Sequence, residues 1–174
     1  MDVGRNMTFK DKTFNDRIND EMWYHSEKIF EEKWPGLWAH AGLGEDDTAM
    51  ASWMWSPMVA HMPDYRAALT AYTKPFWVEV QGTGTKAEVR THKFKQKKLD
   101  NLGLWNSKDE VTFWLWDDKT ETAIWTSYAS IRMMIGQGYA EQGLFDGKRP
   151  YWAIPVPIVE EHGDTERLRA RYGA

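Results

Sequence analysis

The 174-residue sequence predicts one α+β domain, with amphipathic helices first and a mostly antiparallel sheet after them. Near the N-terminus, apolar residues recur every three or four positions, as on one face of a helix. Two later stretches, around residues 76–82 and 110–118, are rich in aromatic and β-branched residues, as strands are. We expect a mobile arm over residues 1–12, the domain over residues 13–138, and an extended proline-containing tail over residues 139–174.

Composition argues against several classes of function. The formal net charge of −4 argues against a nucleic-acid or anionic-membrane partner. The absence of cysteine excludes disulfides, thiolate metal ligands and a cysteine nucleophile, and is compatible with a cytoplasmic protein. Because the N-terminus is polar, we expect no signal peptide, and the sequence contains no apolar run of the length that spans a membrane. Eleven tryptophans predict an aromatic core or an aromatic cavity.

A first helix is predicted from Thr13, a suitable N-cap, to Trp34, because Pro35 disfavours helical geometry in the residue before it. His25 falls on the apolar stripe of this helix, so we expect it to be buried. It is either a hydrogen-bonded core histidine or a general acid/base in a pocket wall.

A short strand over residues 37–42 and a second helix over residues 47–61 come next. His40, on the strand, is a surface or core residue or a second acid/base candidate. The helix carries a stripe of Met and Trp that includes Trp53 and Met54. Such a stripe is typical of a core, and it also suits a wall that grips a flat apolar ligand.

Residues 61–85, HMPDYRAALTAYTKPFWVEVQGTGT, predict two strands, over 66–71 and 76–82, with a proline before each. In the second strand Trp77 and Glu79 share a face. If this face points inward, burial raises the pKa of the Glu79 carboxyl and suits it to proton transfer; otherwise Glu79 is an ordinary exposed glutamate.

The remaining strands are predicted over residues 86–95, 110–118 and 122–131, with a loop over 96–108. In the first of them Glu88, Arg90 and His92 share a face, as a charged surface or as a polar patch at a pocket. The lysine-rich run over residues 93–98 is a solvated strand end or a docking site for an acidic ligand or partner.

Several side chains of this second half are candidates for contact with a ligand. Trp105 would fold over the mouth of a cavity, and Trp114 and Trp116 share one face of their strand. Tyr128, in the last strand, would donate a hydrogen bond to a substrate oxygen or to a core partner.

Pro63-Asp64-Tyr65, a short strand, a turn, and a hydrophobic strand ending in Gly-Thr-Gly-Thr resemble the nuclear-transport-factor-2-like superfamily. The chain is most similar to its polyketide-cyclase-like (SnoaL-like) branch and to phenazine-biosynthesis proteins, over about residues 14–138. The resemblance implies a cone-shaped α+β barrel whose strongly curved sheet encloses an apolar molecule. Relatives include cyclases, isomerases, dehydratases and epoxide hydrolases that use one or two side-chain acids and bases, and the small subunits of ring-hydroxylating oxygenases.

The sequence carries no P-loop, dinucleotide-binding glycine motif or nucleophile elbow, and its histidines lack metal-ligand spacing. We therefore expect a lyase, isomerase or cyclase that uses no metal or cofactor and acts on a small aromatic compound, polyketide-like or lignin-type diaryl. The alternatives are a non-catalytic small subunit of an aromatic-ring oxygenase and a ligand-binding carrier. We also expect a homodimer or larger homo-oligomer, formed through the sheet and the tail. The expected site residues are His25, His40, Glu79 and Tyr128 for catalysis, and Trp53, Met54, Trp77, Trp105, Trp114 and Trp116 for substrate binding.

Overall fold

The computed structural model describes residues 22–41, 62–83, 90–145 and 147–172. These residues form five helices and eight strands in two sheets, which confirms the α+β class. The helices are α1 (Met22–Lys33), α2 (Gln96–Asn106), α3 (Tyr128–Gly136), α4 (Val156–His162) and α5 (Thr165–Tyr172). The strands are β1 (Leu37–His40), β2 (Tyr65–Ala68), β3 (Phe76–Thr83), β4 (Thr91–Lys95), β5 (Val111–Asp117), β6 (Thr122–Ser127), β7 (Glu141–Phe145) and β8 (Arg149–Pro155).

The main sheet has the strand order β1-β2-β3-β5-β6. β3 and β5 run parallel, and the other neighbours in this sheet are antiparallel. A parallel pair cannot be joined by a tight hairpin, so the chain must cross over between β3 and β5. Helix α2 lies in that crossover, and the loop predicted over residues 96–108 is therefore wrong. Leu99 and Leu102, three residues apart, are buried from this helix in the same apolar cluster as β5.

The second sheet has the order β4-β8-β7 and is antiparallel throughout. The extended tail expected after residue 139 is thus corrected: the chain there forms β7, β8, α4 and α5. Pro155 ends β8 and is the N-cap residue of α4, and Pro157 lies in the first turn of that helix, where a proline removes no helical hydrogen bond. The last described residues form the short helix α5.

Strand β5 is buried on both faces. Phe113 and Leu115 belong to a core shared with α2, α3 and the second sheet. Trp114 and Trp116 belong to a core on the opposite face, which also contains Phe30 of α1. This second face is therefore covered by helices of the same chain.

Strand β6 ends at Ser127, and the strand predicted over residues 122–131 is wrong beyond that point. Ser127 caps helix α3, because its Oγ accepts a hydrogen bond from the amide of Ser130 at 3.1 Å. Asp164, just before α5, holds the same junction by accepting hydrogen bonds from both serine hydroxyls at 2.5 Å.

The cone-shaped barrel remains a prediction that the strand pairing does not confirm, since β1 and β6 are the two edges of the main sheet. Two other expectations, the arm over residues 1–12 and the helix over 47–61 with Trp53 and Met54, lie outside the described residues. Among the helices that the structure describes, none has the length and apolar character needed to cross a membrane.

Candidate active site: a lysine between two buried carboxylates

Two carboxylates lie side by side where β2 begins next to the middle of β3. Asp64 directly precedes β2 and is 5% exposed; Glu79 lies within β3 and is 6% exposed. The amide of Val80 donates a hydrogen bond of 2.8 Å to Asp64 Oδ2, which fixes the aspartate against β3. The β2–β3 register thus brings together two acidic residues that lie well apart in the sequence.

Lys98 lies in the first turn of α2 and places its ammonium between these carboxylates. Its Nζ is 2.5 Å from Glu79 Oε1 and 3.2 Å from Asp64 Oδ1. The other oxygen of Glu79, Oε2, is buried and has no hydrogen-bond partner among the described residues. A buried carboxylate oxygen without a partner is uncommon in native proteins and needs an explanation, such as a bound ion or a catalytic role.

The surroundings shift the pKa values of Glu79 and Lys98. Burial, and next the negative charge of Asp64, raise the pKa of Glu79 to about 8, against the opposing effect of Lys98. Desolvation lowers the pKa of Lys98, but the two carboxylates outweigh it and raise that pKa above its usual value. Lys98 is therefore a permanent cation in the physiological range, whereas Glu79 takes up a proton readily.

A third carboxylate, Glu27 of α1, belongs to the same electrostatic cluster. Desolvation, and then the charge of Asp64, raise the pKa of Glu27 to about 8. One helical turn later, Glu31 Oε1 accepts hydrogen bonds from the Tyr65 hydroxyl at 2.8 Å and from His40 Nε2 at 2.9 Å. Desolvation and the bond to Glu31 raise the pKa of the Tyr65 hydroxyl. Helix α1 thus extends the acidic cluster toward the exposed ring of His40.

The donor set fits a small, hard divalent cation. Among the described residues, no group of three or more His, Cys, Asp or Glu is arranged as a complete metal site. Mg²⁺, however, is usually bound by one or two carboxylates and completes its shell with water and substrate phosphate oxygens. Asp64 and Glu79 supply two carboxylates, and the unpartnered Glu79 Oε2 is an oxygen that such an ion would satisfy.

The four residues predicted to be catalytic are not brought together. Glu79 lies in the carboxylate cluster, and His40 lies at the edge of that cluster, where it contacts Glu31 and the ring of Tyr65. His25 is 56% exposed, with Nε2 3.6 Å from Asp118 Oδ1, so its predicted position on a buried stripe is wrong. Tyr128 begins α3, and its hydroxyl lies against Gly103 of α2.

The aromatic residues predicted to line one cavity lie on opposite faces of the main sheet. Trp77 packs against Trp105 at 4.9 Å between ring centroids, on the α2 side. Trp114 and Trp116 are stacked at 5.6 Å and buried on the α1 side. A single cavity cannot include both pairs, because the backbone of the sheet separates them.

The polar row predicted on the strand over residues 86–95 is also divided. Glu88 lies outside the described residues. Arg90 pairs with the fully buried Asp117 of β5. His92 is fully buried, and burial, followed by the charge of Arg90, lowers its pKa to about 3. These side chains therefore do not form one polar patch at a pocket.

Sequence reasoning did not assign Asp64, Lys98 or Glu27 to the site. Asp64 looked like a turn residue after Pro63, and Lys98 looked like one more solvated lysine in the run over residues 93–98. The available signal was an acidic residue just before one predicted strand and another inside the next, which antiparallel pairing can place side by side.

No family model matches this chain, and no curated protein matches it either. Among the solved structures that match, one is D212, a nuclease from a fusselovirus. It is 16% identical, with a TM-score of 0.51, and the match covers 87% of this chain and 88% of that one. At this level of identity the likeness concerns the fold alone, and it does not bear on the resemblance to the nuclear-transport-factor-2-like superfamily.

Proposed function

We propose that this protein is a divalent-metal-dependent nuclease whose active site contains Asp64, Glu79 and Lys98, with Glu27 at its edge. The observation that carries the proposal is the Lys98 ammonium between two buried carboxylates, one of which keeps an unpartnered oxygen. The fold shared with a viral nuclease supports the same reaction class.

The charged cluster is better explained by a role in phosphodiester hydrolysis than by a contribution to the stability of the fold. Burying several charges together is costly, and apolar side chains of similar size often stabilise a protein as well or better. Strongly perturbed carboxylates around a buried lysine are instead typical of functional sites. At this site burial, opposite charge and an unpartnered carboxylate oxygen occur together.

Each residue has a definite task in such a reaction. Asp64 and Glu79 would hold the cation, which polarises a phosphoryl oxygen and activates water when bound. Both must be ionised to do so, and the raised pKa of Glu79 makes cation binding stronger as the pH rises toward 8. Lys98 supplies a fixed positive charge where negative charge develops on the phosphate.

The proposal is tested by cleavage of labelled single-stranded, duplex and branched oligonucleotides with Mg²⁺ or Mn²⁺. We expect cleavage that EDTA abolishes, and a loss of at least about 100-fold in Glu79→Gln and Lys98→Met. Lys97→Met, exposed on the same helix, is the matched control and keeps wild-type activity. Circular dichroism shows that each variant is folded. The absence of metal-dependent cleavage on all three substrates, or full activity in folded Glu79→Gln, would contradict the proposal.

The second candidate is the reaction expected from the sequence, a cofactor-independent lyase, isomerase or cyclase. One observation favours it: the pKa of Glu79 is raised to about 8, as a general acid or base near neutral pH requires. This reaction predicts that aromatic compounds quench tryptophan fluorescence in EDTA and that turnover survives metal removal. Binding of such compounds without turnover would instead favour a ligand-binding carrier. The oxygenase-subunit and homo-oligomer hypotheses stay predictions, which the behaviour of the purified chain on its own would test.

A further inference from the structure

The outer face of the second sheet carries cations and aromatic rings. Directly opposed residues of antiparallel strands point to the same side of the sheet. The β4–β8–β7 register therefore places on one face Lys93 and Lys95 of β4, Arg149 and Tyr151 of β8, and Phe145 of β7. The two lysines and Arg149 are exposed, and the two rings are half-buried. We call these five residues the basic aromatic face.

The opposite side of the same sheet belongs to the protein core. His92, Phe94 and Ile154 are buried there. The alternation along β4 is therefore strict, and the lysines of the run that the sequence singled out are directed away from the core by the strand itself.

The rings form a small platform with a cation above it. The centroids of Phe145 and Tyr151 are 4.3 Å apart. Lys93 Nζ lies 5.2 Å from the Tyr151 centroid and 6.0 Å from that of Phe145. Tyr151 crosses the backbone of Gly143, where an added Cβ would come within 2.4 Å of its ring. Glycine at this position is what lets the tyrosine lie over β7.

The basic aromatic face leads directly to the carboxylate site. Lys95 ends β4 and is also the N-cap residue of α2, three residues before Lys98. Desolvation, then the Lys98 cation and Arg149, lower the pKa of Lys95, whereas Glu79 raises it, so these groups act on one another electrostatically. Gln81 Nε2 of β3 donates to the carbonyl of Lys93 at 2.8 Å and ties the two sheets together at this place.

We propose that the basic aromatic face binds a single-stranded segment of nucleic acid and leads it to the carboxylate site, an inference that rests on the proposed nuclease function. Phosphates complement Lys93, Lys95 and Arg149, and bases can stack on the rings of Tyr151 and Phe145. In a duplex the base faces are covered by stacking, so the rings favour an unpaired strand.

The charge distribution restricts the path of the bound strand to one side of the basic aromatic face. Glu141 of β7 lies on the same face as Lys93, across Ala153 of β8. Glu141 therefore makes the part of the face around Lys93 and Ala153 acidic. Among the described residues of the face, the cross-strand neighbours of Lys95 and of Arg149 include no acidic side chain. The strand would therefore run over Tyr151 toward Lys95 and Lys98.

The test is the binding of a fluorescein-labelled oligothymidylate to the full chain in EDTA, measured by fluorescence anisotropy. Tyr151→Ala is expected to weaken binding about 5- to 100-fold, and Tyr151→Phe to restore it. Lys93→Ala should reduce the slope of log affinity against log salt by about 0.7. Lys119→Ala, exposed in the β5–β6 turn, is the matched control and leaves both unchanged.

Several outcomes would overturn the inference. These are equal affinity in wild type and Tyr151→Ala, equal competition by a duplex of the same length, and equal competition by polyglutamate, which would indicate an acidic protein partner. The two proposals fail separately. Oligonucleotide binding that depends on Tyr151, without metal-dependent cleavage, refutes the proposed nuclease function alone. Metal-dependent cleavage that is insensitive to Tyr151→Ala refutes only the proposal that the basic aromatic face binds the strand.

Discussion

Replacing Lys98 by methionine tests the electrostatics of the carboxylate site without reference to any substrate. Methionine keeps most of the length and apolar volume of the lysine stem but removes the ammonium. The variant loses the contacts at 2.5 Å to Glu79 and 3.2 Å to Asp64, and two buried carboxylates then face each other without that cation.

The size of the effect follows from the burial of the pair. Removing one partner of a buried ion pair costs about 3–5 kcal/mol, because an uncompensated charge stays behind. Lys98 is 21% exposed, so we expect the lower end, about 3 kcal/mol at pH 8. With a urea dependence of about 2 kcal/mol/M, the midpoint of unfolding falls by about 1.5 M.

The loss should depend on pH. Glu79 and Glu27 already have pKa values raised to about 8, so the folded state binds more protons than the unfolded state between about pH 4.5 and 8. Stability from such groups is fully present below their unfolded pKa and is lost as the pH rises through the folded pKa. Removing Lys98 raises the pKa of Glu79 further, so the variant loses more stability at pH 8 than at pH 5.5.

The assay is urea unfolding followed by tryptophan fluorescence at pH 5.5 and 8, with Lys97→Met as the control on the same helix. Mg²⁺ at ten times its Kd should return about 1.4 kcal/mol to the variant at pH 8. The reasoning is refuted if Lys98→Met and Lys97→Met are equally stable, or if the loss in Lys98→Met is the same at both pH values.

Three other predictions concern the fold. His92→Leu should raise stability by about 1–2 kcal/mol at pH 7, because both ring nitrogens of this buried histidine lack a partner among the described residues. The pKa of His92 is lowered to about 3, so wild type loses stability as the pH falls from about 6.5 toward 3. The melting temperature of His92→Leu should therefore fall less than that of wild type over this pH range. Asp164→Ala should cost about 2–3 kcal/mol, since Ser127 loses acceptors for both its amide and its hydroxyl; a change below 0.5 kcal/mol in urea titrations would contradict this. Gly36→Ala should lower the melting temperature, because its Cβ would lie 2.3 Å from a β2 carbonyl oxygen, whereas Gly136→Ala, with open space around it, should stabilise α3 by about 0.5–1 kcal/mol.

The local sequence pattern was sufficient to predict the strands whose own residues are rich in aromatic and β-branched side chains. The aromatic and β-branched runs of β3 and β5 predicted both strands to within a residue or two, and Pro35 marked the end of α1. Helix α2 was missed because its sequence contains Asn101 and Gly103, which are poor helix formers, and its apolar face is short. The crossover that a parallel β3–β5 pair demands is a property of the sheet and leaves no local signal.

The same division holds for the site. Alternation along β3 singled out Glu79 but left two alternatives open, an exposed glutamate or a buried one with a raised pKa. The structure shows the buried one. Asp64 and Lys98 could not be recognised, because each resembles an exposed polar residue until the β2–β3 register and the β4–α2 junction bring it to Glu79.

Net charge argued against a nucleic-acid partner, whereas the proposed nuclease function requires one; net charge sums over the whole chain and carries no information about position. The sequence by itself determined the class of the domain, the aromatic strands and one acidic residue of the cluster, since these depend on side chains a few positions apart. Tertiary structure decided which charges lie close together, because the strength of a Coulomb interaction depends on distance in space and not on separation in sequence. Lys93, for example, contacts the rings of Phe145 and Tyr151 only across the folded second sheet.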